Sequence, residues 1–580
     1  MKYILLVIAL VFSLLSCTEE NITNYSYKRT LVVIADYEPE SDLILALKGE
    51  VRTNHKDVEF VYLKAKKFDI YEGGFLLQTA FNYFPSDAYY CVIVDPGVGD
   101  KKYLAEYQGR KIISPNNGLL SLLTKNQQTS NSYFIDNMSM FPNYTNIEEV
   151  PYVELYRQSI RKMLNGDAPN TFGNPIDSLK KLDVQEPSIN NGVVSGQVLF
   201  VDNFGNCVTN ITKEQMTGFA VGDFVEISSG ANQIFAKLGN NYDAVPTNLN
   251  VMLYDDNQRL NLAVNYNNFS ERYSVVAGTK ITIKKKTFKI GILRYNNSDL
   301  VTNIISGIKD ELNSNGLQEA KNINFLIENA DSDINKFESI ISNLVKNGAD
   351  LIVPISTPAA KAAVQYVPKS IPIVYTYVTS PEFAGLLGKR SLITGISDAT
   401  NFNDYLKFVK DLIPSIKKAG RIYNSSEANS EFAQSELSKL ASFYNISFLN
   451  ETVLSVNEIT PAFGNLKNRD ISAILVAADN TLNLGMKELA QLCADNSIPL
   501  IGDSDENIND GALAAISVDY GELSKVSGNT IYSVMLGLNP DDIEIIRLPT
   551  SSISINKKTA NKIGFSFPQS IIDSASHIVE

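Results

Sequence analysis

The chain has 580 residues, more than one ordinary domain holds, and predicts two or three domains. Hydrophobic residues make up 44% and charged residues 20%, so a packed chain is feasible and wholesale disorder is excluded. The 64 acids against 51 bases give a net charge of −13, which excludes a nucleic-acid partner, and 4 Cys with 2 His leave no stock for a disulfide scaffold, a metal site or a Ser-His-Asp site.

Met1-Lys2 carries positive charge, and Tyr3 to Ser16 is an apolar run of signal-peptide length, too short to span a bilayer comfortably. It ends in Leu14-Leu15-Ser16-Cys17, which resembles a bacterial lipobox. This divides the start into a lipoprotein signal peptide (1–17) and a polar tether (18–28). Acyl chains on Cys17 would hold the protein on a membrane, in the bacterial cell envelope and outside the cytoplasm. Cys91, Cys207 and Cys493 read as unpaired core residues, and His55 as a solvated loop residue.

Leu31-Val32-Val33-Ile34-Ala35-Asp36 and Cys91-Val92-Ile93-Val94-Asp95 read as buried parallel strands, each ending in an acid. The second runs into Pro96-Gly97-Val98-Gly99, a turn that exposes backbone N–H groups. From about Val193 the chain becomes strand-rich with frequent turns, as in a small β-barrel or sandwich. Lys284-Lys285-Lys286 reads as a solvated linker.

VDPGVG (94–99), SPNNGLLS (114–121) and DNFGNCVTNI (202–211), in that order, resemble the S-adenosylmethionine hydroxide adenosyltransferase family, related to the chlorinases and fluorinases. The resemblance implies an α/β domain (29–190), a β-barrel domain (191–286), a homotrimer, and cleavage of S-adenosylmethionine to adenosine and methionine by a water-derived nucleophile. It implies that Asp36 holds the ribose hydroxyls, that Asn117 lies in the nucleoside-binding loop, and that Asp202, Phe204 and Asn206 contact the ligand. Asp95 would be the acid of an Asp-Arg-His triad that orients water. The chain departs from that pattern: Lys102 stands where Arg is expected, and the segment 150–157 contains no His. The first module is therefore expected to be a degenerate hydrolase that takes S-adenosylmethionine or adenosine as a ligand. No resident cofactor or metal is expected.

From 287 the chain alternates strands and amphipathic helices. Lys289 to Leu293 is a strand; Leu300, Ile304, Ile305, Ile308 and Leu312 form a helical stripe; Leu351 to Ile355 is the next buried strand. A second such series begins at Gly420, predicting two doubly wound lobes around a cleft. Polar residues gather at the strand ends: Tyr295, Ser356, Thr357, Thr379, Asn424, Glu427, Asp479 and Asp503 are the candidate solute ligands. Glu427 or Asp479 would suit an ammonium group; Ser356, Thr357 and a helix start would suit a carboxylate.

PISTPAAKAA (354–363), PIVYTYVTSPEFAGLL (372–387), ITGISD (393–398), IYNSSEANS (422–430), AADNTL (477–482) and IPLIGDSD (498–505) resemble ABC-transporter solute-binding proteins of the tryptophan/tyrosine-binding type. The resemblance implies a two-lobed type I periplasmic-binding-protein fold (287–580) that closes on a small solute such as an aromatic amino acid, with ABC permease and ATPase subunits as partners. The expected function is solute binding for an importer. The competing reading is an extracytoplasmic S-adenosylmethionine or nucleoside hydrolase, with Asp95 and Lys102 activating water and the second module capturing a product.

Overall fold

The computed structural model describes residues 29–97, 101–124 and 129–580. The leader, Cys17, the tether, and Val98 and Gly99 of the turn lie outside the described residues.

The first sheet comprises β1 (Arg29–Ala35), β2 (Val58–Lys64), β3 (Tyr89–Ile93), β4 (Lys102–Tyr107), β5 (Arg110–Pro115) and β6 (Ser130–Phe134), in the order β2-β1-β3-β5-β4-β6. β2, β1, β3 and β5 run parallel, while β4 pairs antiparallel with both β5 and β6. Helices α1 (Asp42–Asn54) and α3 (Tyr152–Leu164) cover one face, and α2 (Ile70–Tyr83) the other. Side-chain caps from Ser41 and Asp69 start α1 and α2 by accepting backbone N–H groups. His55 is not solvated: it ends α1 with 5% exposure, and burial holds its pKa down.

The second sheet closes on itself. β8 (Val193–Val201), β9 (Cys207–Thr212), β10 (Phe224–Ser229), β11 (Asn232–Leu238), β12 (Asn250–Tyr254), β13 (Arg259–Val264) and β14 (Lys280–Lys285) form a seven-stranded barrel completed by the β14–β8 pairing, with β7 (Ser188–Asn190) on the outside of β8. The three lysines at its end are not a free linker. Lys284 and Lys285 lie on β14 and pair with Glu226 and Asp223, and Lys286 pairs with Asp350 at 2.6 Å.

Only Lys286 and Thr287 separate the barrel from the next strand. The amino lobe holds β15 (Phe288–Arg294), β16 (Ile323–Asn329), β17 (Leu351–Ile355), β18 (Ile373–Tyr375) and β19 (Ile393–Ser397), in parallel order β16-β15-β17-β18-β19, with α4 (Asp299–Ser314) and α5 (Thr357–Tyr366) as crossovers. The Ser298 side chain caps α4, and the buried stripe Leu300, Ile304, Ile305, Ile308, Leu312 seats it. The carboxyl lobe holds α6 (Phe402–Leu412), β20 (Lys418–Asn424), α7 (Ala428–Ala441), β21 (Ser447–Val453), β22 (Ala473–Leu475), α8 (Asn480–Leu484), β23 (Leu500–Gly502), α9 (Asp505–Asn509) and β24 (Ala514–Val518). The chain then returns to the amino lobe as α10 (Tyr520–Met535) and β25 (Ile546–Arg547), which pairs with β19, and goes back as β26 (Thr550–Asn556) and β27 (His577–Val579). It therefore crosses between lobes three times, after Ser397, Val518 and Arg547.

Barrel and amino lobe share one core. Phe224, Val245, Leu249 and Val251 of the barrel pack in the same buried cluster as Phe288, Ile290, Ile308 and Tyr532. The Phe224 ring meets those of Phe288 and Tyr532 edge-on at 5.9 and 6.3 Å. Gly537, at φ 96°, ends α10 where a Cβ would stand 2.2 Å from Asn250 Nδ2. Cys91, Cys207 and Cys493 are buried and free. Among the described residues no helix is long and apolar enough to cross a membrane.

Candidate functional site

The carboxyl ends of the strands of both lobes face one cleft, as parallel sheets require. From the amino lobe come Tyr295 after β15, Ser356 and Thr357 after β17, Tyr377 and Thr379 after β18, and Asp398 after β19. From the carboxyl lobe come Asn424 at the end of β20 and Glu427 just beyond it, Asp479 after β22 and Asp503 after β23. The lobes touch: Asn483 Nδ2 donates to the Tyr377 hydroxyl at 3.3 Å. Backbone strain collects here, with Ser356 at φ 90°, Tyr377 at φ 57° and Ala478 at φ 50°.

The cleft carboxylates differ in what they have left to offer. Glu427 accepts from the side chains of Asn424 and Asn429 and from both the backbone and side chains of Asn480 and Thr481. Both of its oxygens are thus engaged by protein donors. Asp479 accepts from Asn424 N at 2.6 Å and Leu482 N at 2.8 Å, capping α8. Burial, then the neighbouring Glu427 charge, pushes its pKa up. Asp503 accepts from Ala478 N, and burial raises its pKa to about 6.

Asp398 is the exception, and the strand-end list omitted it. It is 7% exposed, and its Oδ1 is buried with no hydrogen-bond partner. Burial, then the Asp503 charge, raises it to about 7, while the Thr379 hydroxyl works the other way. In the ITGISD segment Asp398 follows Ser397, and polar residues interrupt the run before it, so it lacks the continuous apolar signal of 31–35 and 91–94. Ser356 Oγ is likewise buried and unpartnered, at the start of α5. A buried acceptor without a donor and a buried hydroxyl without a partner are costly in an empty site and suit a ligand that brings both charges. Tyr295 lies near Glu427 and Asp479, and Tyr377 and Tyr520 pack edge to face at 5.8 Å beside Asp398. Aromatic surface thus lines a charged cleft.

In the first module Asp36 Oδ2 accepts from Phe68 N at 3.0 Å and Asp95 N at 3.1 Å. Asn117 Nδ2 donates to the carbonyls of Val94 and Asp95, both at 3.0 Å. These three expected residues therefore meet at the ends of β1 and β3. Asp202 folds its own loop, its oxygens accepting from Phe204 N, Asn206 N and Asn206 Nδ2. Phe204 stands 79% exposed beside a 740 Å3 cavity lined by Asn206, Tyr242, Tyr266 and Asn267.

Lys102 does not pair with Asp95. It is 6% exposed, and its ammonium donates to Pro96 O at 2.7 Å and to the Tyr152 hydroxyl at 2.8 Å. Tyr152, from the segment that lacks His, donates in turn to Gly97 O at 2.5 Å. The pair clasps the turn after Asp95.

Comparison with known proteins follows this division. Residues 31–169 and 196–282 match the N-terminal and C-terminal domains of SAM hydroxide adenosyltransferase. The (R)-S-adenosyl-L-methionine hydrolase of Methanocaldococcus jannaschii is 25% identical over 196 residues, 32% of this chain and 68% of that protein. A tyrosine-binding protein of Clostridioides difficile is 32% identical over 286 residues, 48% of this chain and 82% of that protein. The structure of an ABC domain in complex with L-Trp from Streptococcus pneumonia is 28% identical, with TM-score 0.49 over 51% of this chain and 100% of that one. Residues 289–579, half of the chain, match the family described as ABC transporter substrate binding protein, and the chain belongs to that family, with an adenosyltransferase-like module ahead of its two lobes.

Proposed function

We propose that this protein captures a small α-amino acid between its two lobes and delivers it to the permease and ATPase of an ABC importer. The observation that carries the reading is the pair of buried, unpartnered atoms at strand ends of the amino lobe, Asp398 Oδ1 after β19 and Ser356 Oγ after β17. A solute ammonium would donate to Asp398. Its carboxylate would accept from Ser356 and from N–H groups at the start of α5. Tyr295, Tyr377 and Tyr520 offer surface to an aromatic side chain, which agrees with the tyrosine-binding relative. Closure is favoured because both lobes touch the solute only when they meet. Acyl chains on Cys17 would anchor the protein at the bacterial envelope, outside the cytoplasm.

In this proposal the first module holds an adenosyl compound without cleaving it and assembles as a homotrimer. Asp36 and the exposed Phe204 support retention of the ligand, and the Lys102–Tyr152 clasp speaks against water activation. The test is a calorimetric titration with tyrosine, tryptophan, methionine, adenosine and S-adenosylmethionine. A zwitterionic amino acid must bind, and must lose affinity in Asp398→Asn. Binding that ignores Asp398 would sink the assignment.

A further inference from the structure

One line of hydrogen bonds runs from a strand end of the carboxyl lobe to a side chain of the amino lobe. The Asp503 backbone N–H, just after β23, donates to Asn507 Oδ1 at 3.0 Å. Asn507 Nδ2 donates to Asn483 Oδ1 at 3.2 Å, and Asn483 Nδ2 donates to the Tyr377 hydroxyl at 3.3 Å. Asn507 is 2% exposed, and a Cβ on Gly502 would stand 2.4 Å from its Oδ1, so the glycine leaves room for this amide. Tyr377, Asn483 and Asn507 border a 520 Å3 cavity between the lobes, large enough for a small solute. Ser298, which caps α4, and Asn303 within α4 border it from the amino lobe, and Glu506 of α9 from the carboxyl lobe.

The line has a fixed direction. A backbone N–H can only donate, so Asn507 must turn its oxygen to Asp503 and its NH2 to Asn483. Asn483 must then turn its oxygen to Asn507 and its NH2 to Tyr377. Exchanging oxygen and nitrogen at either amide would set donor against donor. The Tyr377 oxygen is thereby an acceptor. Burial, then the Asp398 and Asp503 charges, pushes its pKa well above the ordinary value, so it keeps its proton. Among the described residues that proton has no acceptor.

Resting on the amino-acid reading of the cleft, we propose that closure makes Tyr377 a specificity-determining donor: its oxygen is taken by Asn483, and its O–H is given to an acceptor oxygen of the solute. Asn483 and Asn507 are positioning residues that fix this polarity. The relay exists only where the lobes meet, since Tyr377 belongs to one and Asn483 to the other. With the lobes apart, the hydroxyl can turn either way toward water. On closing, the cleft favours a solute that brings an oxygen acceptor to this point. A solute that brings a donor would leave two buried donors facing each other. Two oxygens of a tyrosine solute fit this chemistry, the carboxylate and the ring hydroxyl.

The test is titration calorimetry on the whole chain at pH 8, with tyrosine and phenylalanine as probes. Tyr377→Phe keeps the ring and should weaken tyrosine binding about tenfold. An equal loss with phenylalanine assigns the bond to the carboxylate, and a loss confined to tyrosine assigns it to the ring hydroxyl. No loss with either overturns the proposal. Asn483→Ala and Asn483→Asp separate a donor from a mere clasp between lobes. Aspartate would accept from the Tyr377 O–H and draw it away from the solute, so Asn483→Asp should bind about three- to tenfold more weakly than Asn483→Ala. A clasp gives the opposite order, because aspartate keeps a bond between the lobes, and that order overturns the proposal. On the Tyr377→Phe background the two variants should bind alike. A difference that persists there comes from the new charge alone and also overturns it. If neither amino acid binds the unmodified protein, the amino-acid reading falls, and melts without solute decide the relay. Tyr377→Phe and Asn483→Ala remove the two ends of one bond, so the double variant should lose no more stability than the larger single loss; additive losses overturn the relay.

Discussion

Asn250 on β12 donates its backbone N–H to the carbonyl of Leu536, the residue after α10, at 3.0 Å. The Asn250 side chain bonds Phe235 O and the Tyr273 hydroxyl, so one buried amide ties the barrel wall to the amino lobe. At its other end α10 begins at Tyr520, beside Asp398. A single helix thus runs from the solute cleft to the barrel.

That continuity predicts joint unfolding. Phe224→Ala removes a barrel ring from the shared core and should cost about 3–5 kcal/mol. Hydrogen exchange should speed up in β12 and in α10 together. Acceleration confined to the barrel would show that the two units unfold separately.

Asp398→Asn should lower amino-acid affinity about 10- to 100-fold at pH 8, the worth of a charged hydrogen bond. The free carboxyl stands at about 7, and the ammonium needs it ionised. Affinity of the unmodified protein should therefore fall as pH drops below 7, by at most about tenfold per unit. Titration calorimetry across pH 5 to 8 checks both slope and sign; affinity that rises in acid would contradict the assignment.

Lys102→Met should destabilise the first module by about 1–3 kcal/mol, because Pro96 O and the Tyr152 hydroxyl lose a buried donor. Neither the unmodified protein nor Lys102→Arg is expected to release adenosine from S-adenosylmethionine. Chromatographic detection of adenosine formed in proportion to enzyme would reverse this reading.

His55 supplies a pH dependence for the same module. Burial, then the Arg29 charge, holds its pKa down in the folded state. The unfolded chain therefore binds more protons below its ordinary value of about 6.5. Stability should be level above that pH and decline as pH falls below it. His55→Gln should flatten the decline in a thermal melt series.

The strand-forming runs were legible because they are continuous and apolar: 31–35 and 91–93 became β1 and β3, with Asp36 and Asp95 at their ends. The two-lobed alternation after 287 was legible from helical stripes such as Leu300 to Leu312. What the pattern could not supply is the partner list of each polar group. Glu427 and Asp398 look alike as acids after strands, yet four residues surround the first and leave the second an open oxygen. His55 and Lys286 misled for the same reason, since local polarity says nothing about which distant element lands on them.

The two-residue connection between β14 and β15, with the core that barrel and amino lobe share, also makes one body of those two units. The barrel therefore moves with the amino lobe, and any closure is a relative rotation of the carboxyl lobe against both about the three crossings. A dye pair with one member on the outer barrel and the other on α7 would read the proposed closure as a change in distance, from positions far from the cleft.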